Sequence, residues 1–104
     1  MKEVLLLCNA GMSSSMIAKK ITELLQKKGE DINVTSTTAM ANESLFDEKH
    51  YDLLLISPQV RMLFNDIKKI ADQNNSNIAQ VTFDAYAPTP IALEKLSKII
   101  LENI

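Results

Sequence analysis

The chain has 104 residues, 46% apolar and 23% charged, which is the length and balance of one globular domain with a single core. Its formal charge of -2, with lysines and acids interspersed, provides no basic stripe for nucleic acid and no polybasic patch for a membrane surface. No apolar run approaches the roughly 18 residues of a membrane span, Val4–Leu7 is too short for a signal-peptide core, and a single cysteine excludes an internal disulfide framework. A cytoplasmic protein without direct membrane insertion is expected.

In chain order, Val4–Leu7 is a continuous apolar run, the pattern of a strand covered on both faces. It stops at Cys8, and Gly11 and the serines at 13–15 lead into a helix. In that helix Ile17, Ile21 and Leu24 recur at spacings of four and three, while Lys19, Lys20, Glu23 and Lys27 take the other side and Gly29 supplies a stop. Ile32–Thr38 is β-branched but polar, as an edge strand would be. Asn42–His50 reads as one short helix, and Asp52–Ile56 as a second central strand. Ser57 stands where it would cap a helix opened by Pro58 and carrying Val60, Leu63, Ile67 and Ile70 on its apolar side. Ile78–Phe83 is a fourth strand, and Thr89-Pro90 opens a last helix with Leu93, Leu96 and Ile100 as its buried stripe.

Strands alternating with helices on short connections predict an α/β fold: a four-stranded parallel sheet with helices on both faces, right-handed crossovers and one domain over residues 1–104. Ligands of such sheets bind beyond the carboxyl ends of the strands. Cys8-Asn9-Ala10-Gly11, Ser57-Pro58-Gln59 and Asp84–Pro88 all fall there.

Free cysteine is commonly a buried apolar filler, so position alone leaves the role of Cys8 open. Its context adds a case for chemistry. A strand end, a short loop with Gly11 and a serine-rich helix start turn backbone N–H groups and the positive end of a helix dipole toward the thiol. That setting makes a thiolate available and forms an anion cradle, a phosphate-binding loop after the first strand. The hydroxyls of Ser13, Ser14 and Ser15 can cap the helix or donate to an oxyanion, and capping is the ordinary role for any single one of them. Two glycines, Gly11 and Gly29, are too few for a dinucleotide fingerprint and wrongly placed for a Walker loop. One cysteine and one histidine supply neither a redox pair nor a structural metal site, so no metal and no cofactor are expected. His50 precedes the third strand whereas Cys8 ends the first, which sets them at opposite ends of a parallel sheet. A cysteine-dependent phosphate-monoester hydrolase of the low-molecular-weight tyrosine-phosphatase kind is the competing reading. It lacks the arginine that closes such a loop, since Ser14 holds that position, and its general acid would have to be Asp84, a residue equally suited to forming a turn.

The stretch LLCNAGMSSSMIAKKI resembles the phosphorylation loop of IIB components of the bacterial sugar phosphotransferase system, lactose/cellobiose type, with the pattern C-x-x-G-M-S-[ST]-S. LLLISPQVR and VTFDAYAPTP extend the resemblance over nearly the whole chain. It implies four parallel strands flanked by helices and a phosphoryl carrier: Cys8 takes the group from a phosphohistidine of IIA and passes it to a sugar bound by membrane IIC. Asn9, Ala10, Gly11, Met12, Ser13, Ser14 and Ser15 would form the loop that holds the phosphate. Met12, Pro58, Gln59 and Tyr86, at the same end of the sheet, are the candidate docking residues for these partners. Ser57 stands where the family often has glycine, and the final loop lacks a glycine common there. A chain beginning at Met1, free of a membrane component, is expected of the cellobiose or chitobiose branch, and a monomer is expected when the protein is free.

Overall fold

The computed structural model describes residues 1–9, 14–39 and 43–104. Strands β1 (Lys2–Cys8), β2 (Ile32–Thr38), β3 (Leu53–Ile56) and β4 (Asn77–Gln80) form one sheet in the order β2-β1-β3-β4. Each neighbouring pair is parallel. Helices α1 (Ser14–Lys27), α2 (Phe64–Gln73) and α3 (Pro90–Asn103) follow β1, β3 and β4, and short 3-10 segments occupy Glu43–Phe46, Pro58–Leu63 and Phe83–Ala85.

The period-two alternation of β1 divides the core between two layers. Val4 and Leu6 face Ile17, Ile21 and Leu25 of α1 and Leu93, Leu96 and Ile100 of α3. Leu5 and Leu7 face Leu45, Tyr51, Val60, Ile67 and Ala71 on the other side, where α2 lies. Both sides of β1 and β3 are therefore covered, which is why these strands are unbroken apolar runs. On α1 the buried stripe runs through Ile17, Ala18, Ile21 and Leu25; Leu24 packs only partly against the core.

Four expectations need correction. The fourth strand ends at Gln80, because its partner β3 ends at Ile56; Val81 N–H still reaches the Ile56 carbonyl at 2.9 Å, but Phe83 belongs to a 3-10 turn. The segment after Ser57 is not one helix. It runs as 3-10 from Pro58 to Leu63, is broken at Val60 (φ -122, ψ 21), and becomes α-helical only at Phe64. Neither Ser57 nor Thr89 makes a side-chain capping bond to the segment it precedes, although Pro58 and Pro90 do sit at the first positions. The predicted short helix at 42–50 is a single 3-10 turn, Glu43–Phe46, with Asn42 outside the described residues.

Chain direction locates the functional end of the sheet. From β1 the chain crosses through α1 to β2 on one side, and from β3 it crosses through α2 to β4 on the other. Helices α1 and α2 thus lie on opposite faces, which makes the adjacent ends of β1 and β3 the switch point of the sheet, the place where ligands of such folds bind.

Candidate active site

Cys8 is the last residue of β1 and continues the Val4, Leu6 alternation, so its side chain lies on the α1/α3 face. The ladder outlasts β3 by one residue: Ser57 N–H donates to the Leu7 carbonyl at 3.0 Å. Since Leu7 pairs with Ile56, Cys8 and Ser57 stand next to each other in register. Ser57 extends the Leu53, Leu55 alternation, which directs it to the same face as Cys8. On the other flank, Ala39 N–H donates to the Cys8 carbonyl at 2.8 Å. The thiol is thereby fixed between two neighbouring strand ends.

The Cys8 side chain is 4% exposed. Its Sγ lies 2.7 Å from Oγ of Ser14, the buried first residue of α1, and 3.4 Å from the Thr37 carbonyl, to which the thiol donates. Tyr86, just after the last 3-10 turn, packs against the same core layer and brings its hydroxyl into this group. Burial first, and then the nearby Cys8 thiolate, push Tyr86 ionisation above its ordinary value; the Ser57 and Ser14 hydroxyls pull more weakly the other way. Those hydroxyls are close enough to act on the phenol, yet neither stands at hydrogen-bonding geometry to it. The Tyr86 hydroxyl, the Ser57 hydroxyl and the Gln59 Oε1 are all buried without a hydrogen-bond partner among the described residues.

Of the loop predicted to hold phosphate, Asn9 is exposed, Ser14 is buried beside the thiol and Ser15 is exposed; Ala10, Gly11, Met12 and Ser13 lie outside the described residues. Among the candidate docking residues, Pro58 is buried, Gln59 and Tyr86 are half-buried, and Met12 is again outside the description. Asp84 is exposed and accepts hydrogen bonds from Thr82 and Lys95, which hold its carboxyl below the usual aspartate range. It is ionised at neutral pH and a poor proton donor. His50 is exposed at the opposite end of the sheet, its Nε2 4.0 Å from Asp52. Among the described residues no three His, Cys, Asp or Glu side chains are grouped as a metal site, and no helix is long and apolar enough to cross a membrane. A separate cleft of about 480 Å³ beneath β2, lined by Leu5, Thr35, Thr37 and Tyr51, belongs to the other core layer, away from the thiol.

The motif leads to Cys8 and Ser14, but Ser57 and the Thr37 carbonyl do not follow from it. The signal for Ser57 is in the strand itself: Leu53, Leu55 and Ser57 alternate in step with Val4, Leu6 and Cys8.

A parallel α/β sheet of this kind is shared by solved structures of different description. A low-molecular-weight phosphotyrosine phosphatase from Vibrio cholerae O395 superposes with a TM-score of 0.53 at 16% identity, covering 97% of this chain and 88% of that one. The lactose-specific IIB component domain from Streptococcus pneumoniae fits better, with a TM-score of 0.73 at 21% identity over 97% of this chain and 95% of that one. The family model for the lactose/cellobiose-specific IIB subunit of the phosphotransferase system matches residues 3–98, and the chain belongs to that family. The oligo-beta-mannoside-specific EIIB component of Bacillus subtilis (strain 168) is 33% identical over 86 residues, 83% of this chain and 82% of that protein. Components of this family act as sugar phosphotransferases and work with IIA and IIC partners.

Proposed function

We propose that Cys8 is the phosphoryl-carrying residue of this chain, accepting the group from a phosphohistidine of IIA and delivering it to a sugar held by IIC. The observation that carries the reading is the thiol itself, at the adjacent ends of β1 and β3 with the first residue of α1 against it. In the first transfer the Cys8 sulfur forms an S–P bond as the imidazole N–P bond breaks, and the thiol proton goes to the departing imidazole. In the second, a sugar hydroxyl oxygen attacks phosphorus, the S–P bond breaks, and the sulfur leaves with the bonding pair as a thiolate. The hydroxyl proton goes to a base outside this chain. Asn9 to Ser15 supply the loop amides that cradle the phosphate, and the protein acts in the cytoplasm as a monomer. The sugar is a β-linked disaccharide; the relatives named above carry lactose, cellobiose and oligo-beta-mannoside in their descriptions, all β-linked.

Partner docking would use the apolar side chains exposed around the same end of the sheet. Met16 on the first turn of α1, Met62 after β3, Phe83 after β4 and Ile91 at the start of α3 form this rim. Hydrolysis is the weaker reading, because Ser14 occupies the position of the phosphatase arginine and Asp84 is engaged with Thr82 and Lys95.

Incubation with phosphorylated IIA tests the proposal. Stoichiometric label on Cys8, absent in Cys8→Ser because a serine hydroxyl without an adjacent base is scarcely ionised, is the expected result. Continuous release of inorganic phosphate would favour the hydrolase, and an unlabelled chain would make Cys8 a core residue.

A further inference from the structure

In the proposed function, the loop after β1 takes one side of a phosphoryl group on Cys8. We propose that the hydroxyls of Ser57 and Tyr86 form the other side, donating hydrogen bonds to phosphoryl oxygens carried by Cys8. This inference rests on Cys8 being the carrier residue.

Three independent placements bring these groups together. Ser57 is the in-register neighbour of Cys8 across the β1–β3 ladder and shares its face, and adjacent strands lie roughly 4.8 Å apart. Ser14 fixes the thiol from the α1 side at 2.7 Å. Tyr86 enters from beyond β4, packed against the α1/α3 core layer. Strand, helix and loop thus converge on one point.

Among the described residues the hydrogen-bond inventory of that point is incomplete. Among the described residues, neither the hydroxyl of the fully buried Ser57 nor the buried Tyr86 hydroxyl has a hydrogen-bond partner. Buried hydroxyls without partners are rare in folded proteins, and two beside a single nucleophile call for a specific explanation. A helix cap does not explain Ser57, because its side chain makes no capping bond. Core packing does not explain it either, since alanine would fill the same position without a polar atom to satisfy.

A phosphocysteine supplies what is missing. Its terminal oxygens carry up to two negative charges and accept hydrogen bonds, while serine and tyrosine hydroxyls can rotate to donate. Hydrogen bonds to an ionised acceptor are the strong ones, and they replace in part the guanidinium that the loop lacks at Ser14. Tyr86 remains protonated near neutral pH, as a donor must, because burial opposes its ionisation, and a negatively charged phosphoryl group beside it would oppose it further. The two hydroxyls therefore stabilise the phosphorylated form specifically.

The test uses the whole chain, phosphorylated IIA, and the variants Ser57→Ala, Tyr86→Phe and the double variant. The position of the equilibrium between phospho-IIA and the phosphocysteine is the main readout. Each single variant should still label on Cys8 but hold the phosphoryl group roughly tenfold less favourably, and the double variant less favourably again. The phosphorus NMR signal of the phosphocysteine should shift in each variant. Ser57→Ala should leave the thermal stability of the unphosphorylated chain unchanged or raised, since it removes an unsatisfied buried group. Variants with the parental equilibrium and phosphorus signal would overturn this inference while leaving Cys8 as carrier. Lowered stability of unphosphorylated Ser57→Ala with an unaltered equilibrium would do the same and assign the hydroxyl to the fold. Failure of the parent chain to label would remove both readings together.

Discussion

Tyr86 joins the chemistry of single side chains to the pH response of the protein. Tyrosine ordinarily ionises near pH ~10. Burial and the Cys8 thiolate push the folded value upward, so Tyr86 contributes stability that is complete below the unfolded value and is lost as pH rises through the folded one. With Tyr51→Phe as background, the single remaining tyrosine can be followed by its absorbance. It should ionise above the ordinary range, and Cys8→Ser should bring it partway down, because the thiolate is removed while burial persists. A titration unaltered by Cys8→Ser would place the thiol too far from the phenol to act on it. The sequence was informative about Cys8 and Ser14 because a strand end, a glycine and a serine-rich helix start form one continuous signal. It was misleading about Ser57, since a serine before proline at a helix start is the pattern of a cap, whereas the side chain follows the alternation of the strand behind it.

At the scale of elements, two helices end in the same way on different residues. The Glu30 N–H reaches the Leu25 carbonyl at 2.9 Å and the Gly29 N–H reaches Gln26 at 3.1 Å, with Gly29 at φ 84. At the end of α2 the Ser76 N–H reaches Ala71 at 2.9 Å and the Asn75 N–H reaches Asp72 at 3.5 Å, with Asn75 at φ 55. Both are paired closures around a left-handed residue, and asparagine is the usual alternative to glycine there. A Cβ at Gly29 would meet nothing within 4 Å, so Gly29→Ala carries only the backbone penalty. It should lower stability by about 1 kcal/mol, whereas Asn75→Gly should be neutral or stabilising by up to about 0.5 kcal/mol. Urea unfolding with an unchanged slope is the check, and a neutral Gly29→Ala would contradict the account. Gly29 was readable as a stop, while Asn75 stands in a polar run, Gln73–Asn77, where nothing distinguishes it. Strand identities were readable from apolar runs, but the end of β4 was not, because its length is set by β3 across the ladder. The broken segment after Ser57 escaped notice for a related reason: apolar spacing survives the change from 3-10 to α geometry at Phe64.

Over the whole molecule, a parallel sheet sends every strand toward the same end, so Ser57 after β3 and Tyr86 after β4 come to the end of the sheet that holds Cys8. Four of the six large apolar side chains exposed among the described residues lie at that end, Met1 and Leu101 being the exceptions. Met62 and Phe83 are 74% and 72% exposed, and Met16 and Ile91 share their end of the sheet. Such a rim suits a partner that must bring a phosphohistidine to a recessed thiol, since close approach requires water to be displaced around the transferring group. The chain as a whole carries -2, so one further negative charge matters mainly where the phosphate enters. Phe83→Asp should slow transfer from IIA roughly tenfold, through lost apolar contact and repulsion of the incoming phosphate, and leave thermal stability near that of the parent because the ring is exposed. Gln73→Glu, which adds the same charge at the far end of α2, should leave the rate unchanged. Rapid-mixing transfer kinetics at two salt concentrations separate the two contributions: added salt should recover the electrostatic part in Phe83→Asp and leave the apolar part. Equal rates in Phe83→Asp and the parent would remove this rim from the docking surface, and equal slowing by both variants would reduce the effect to net charge.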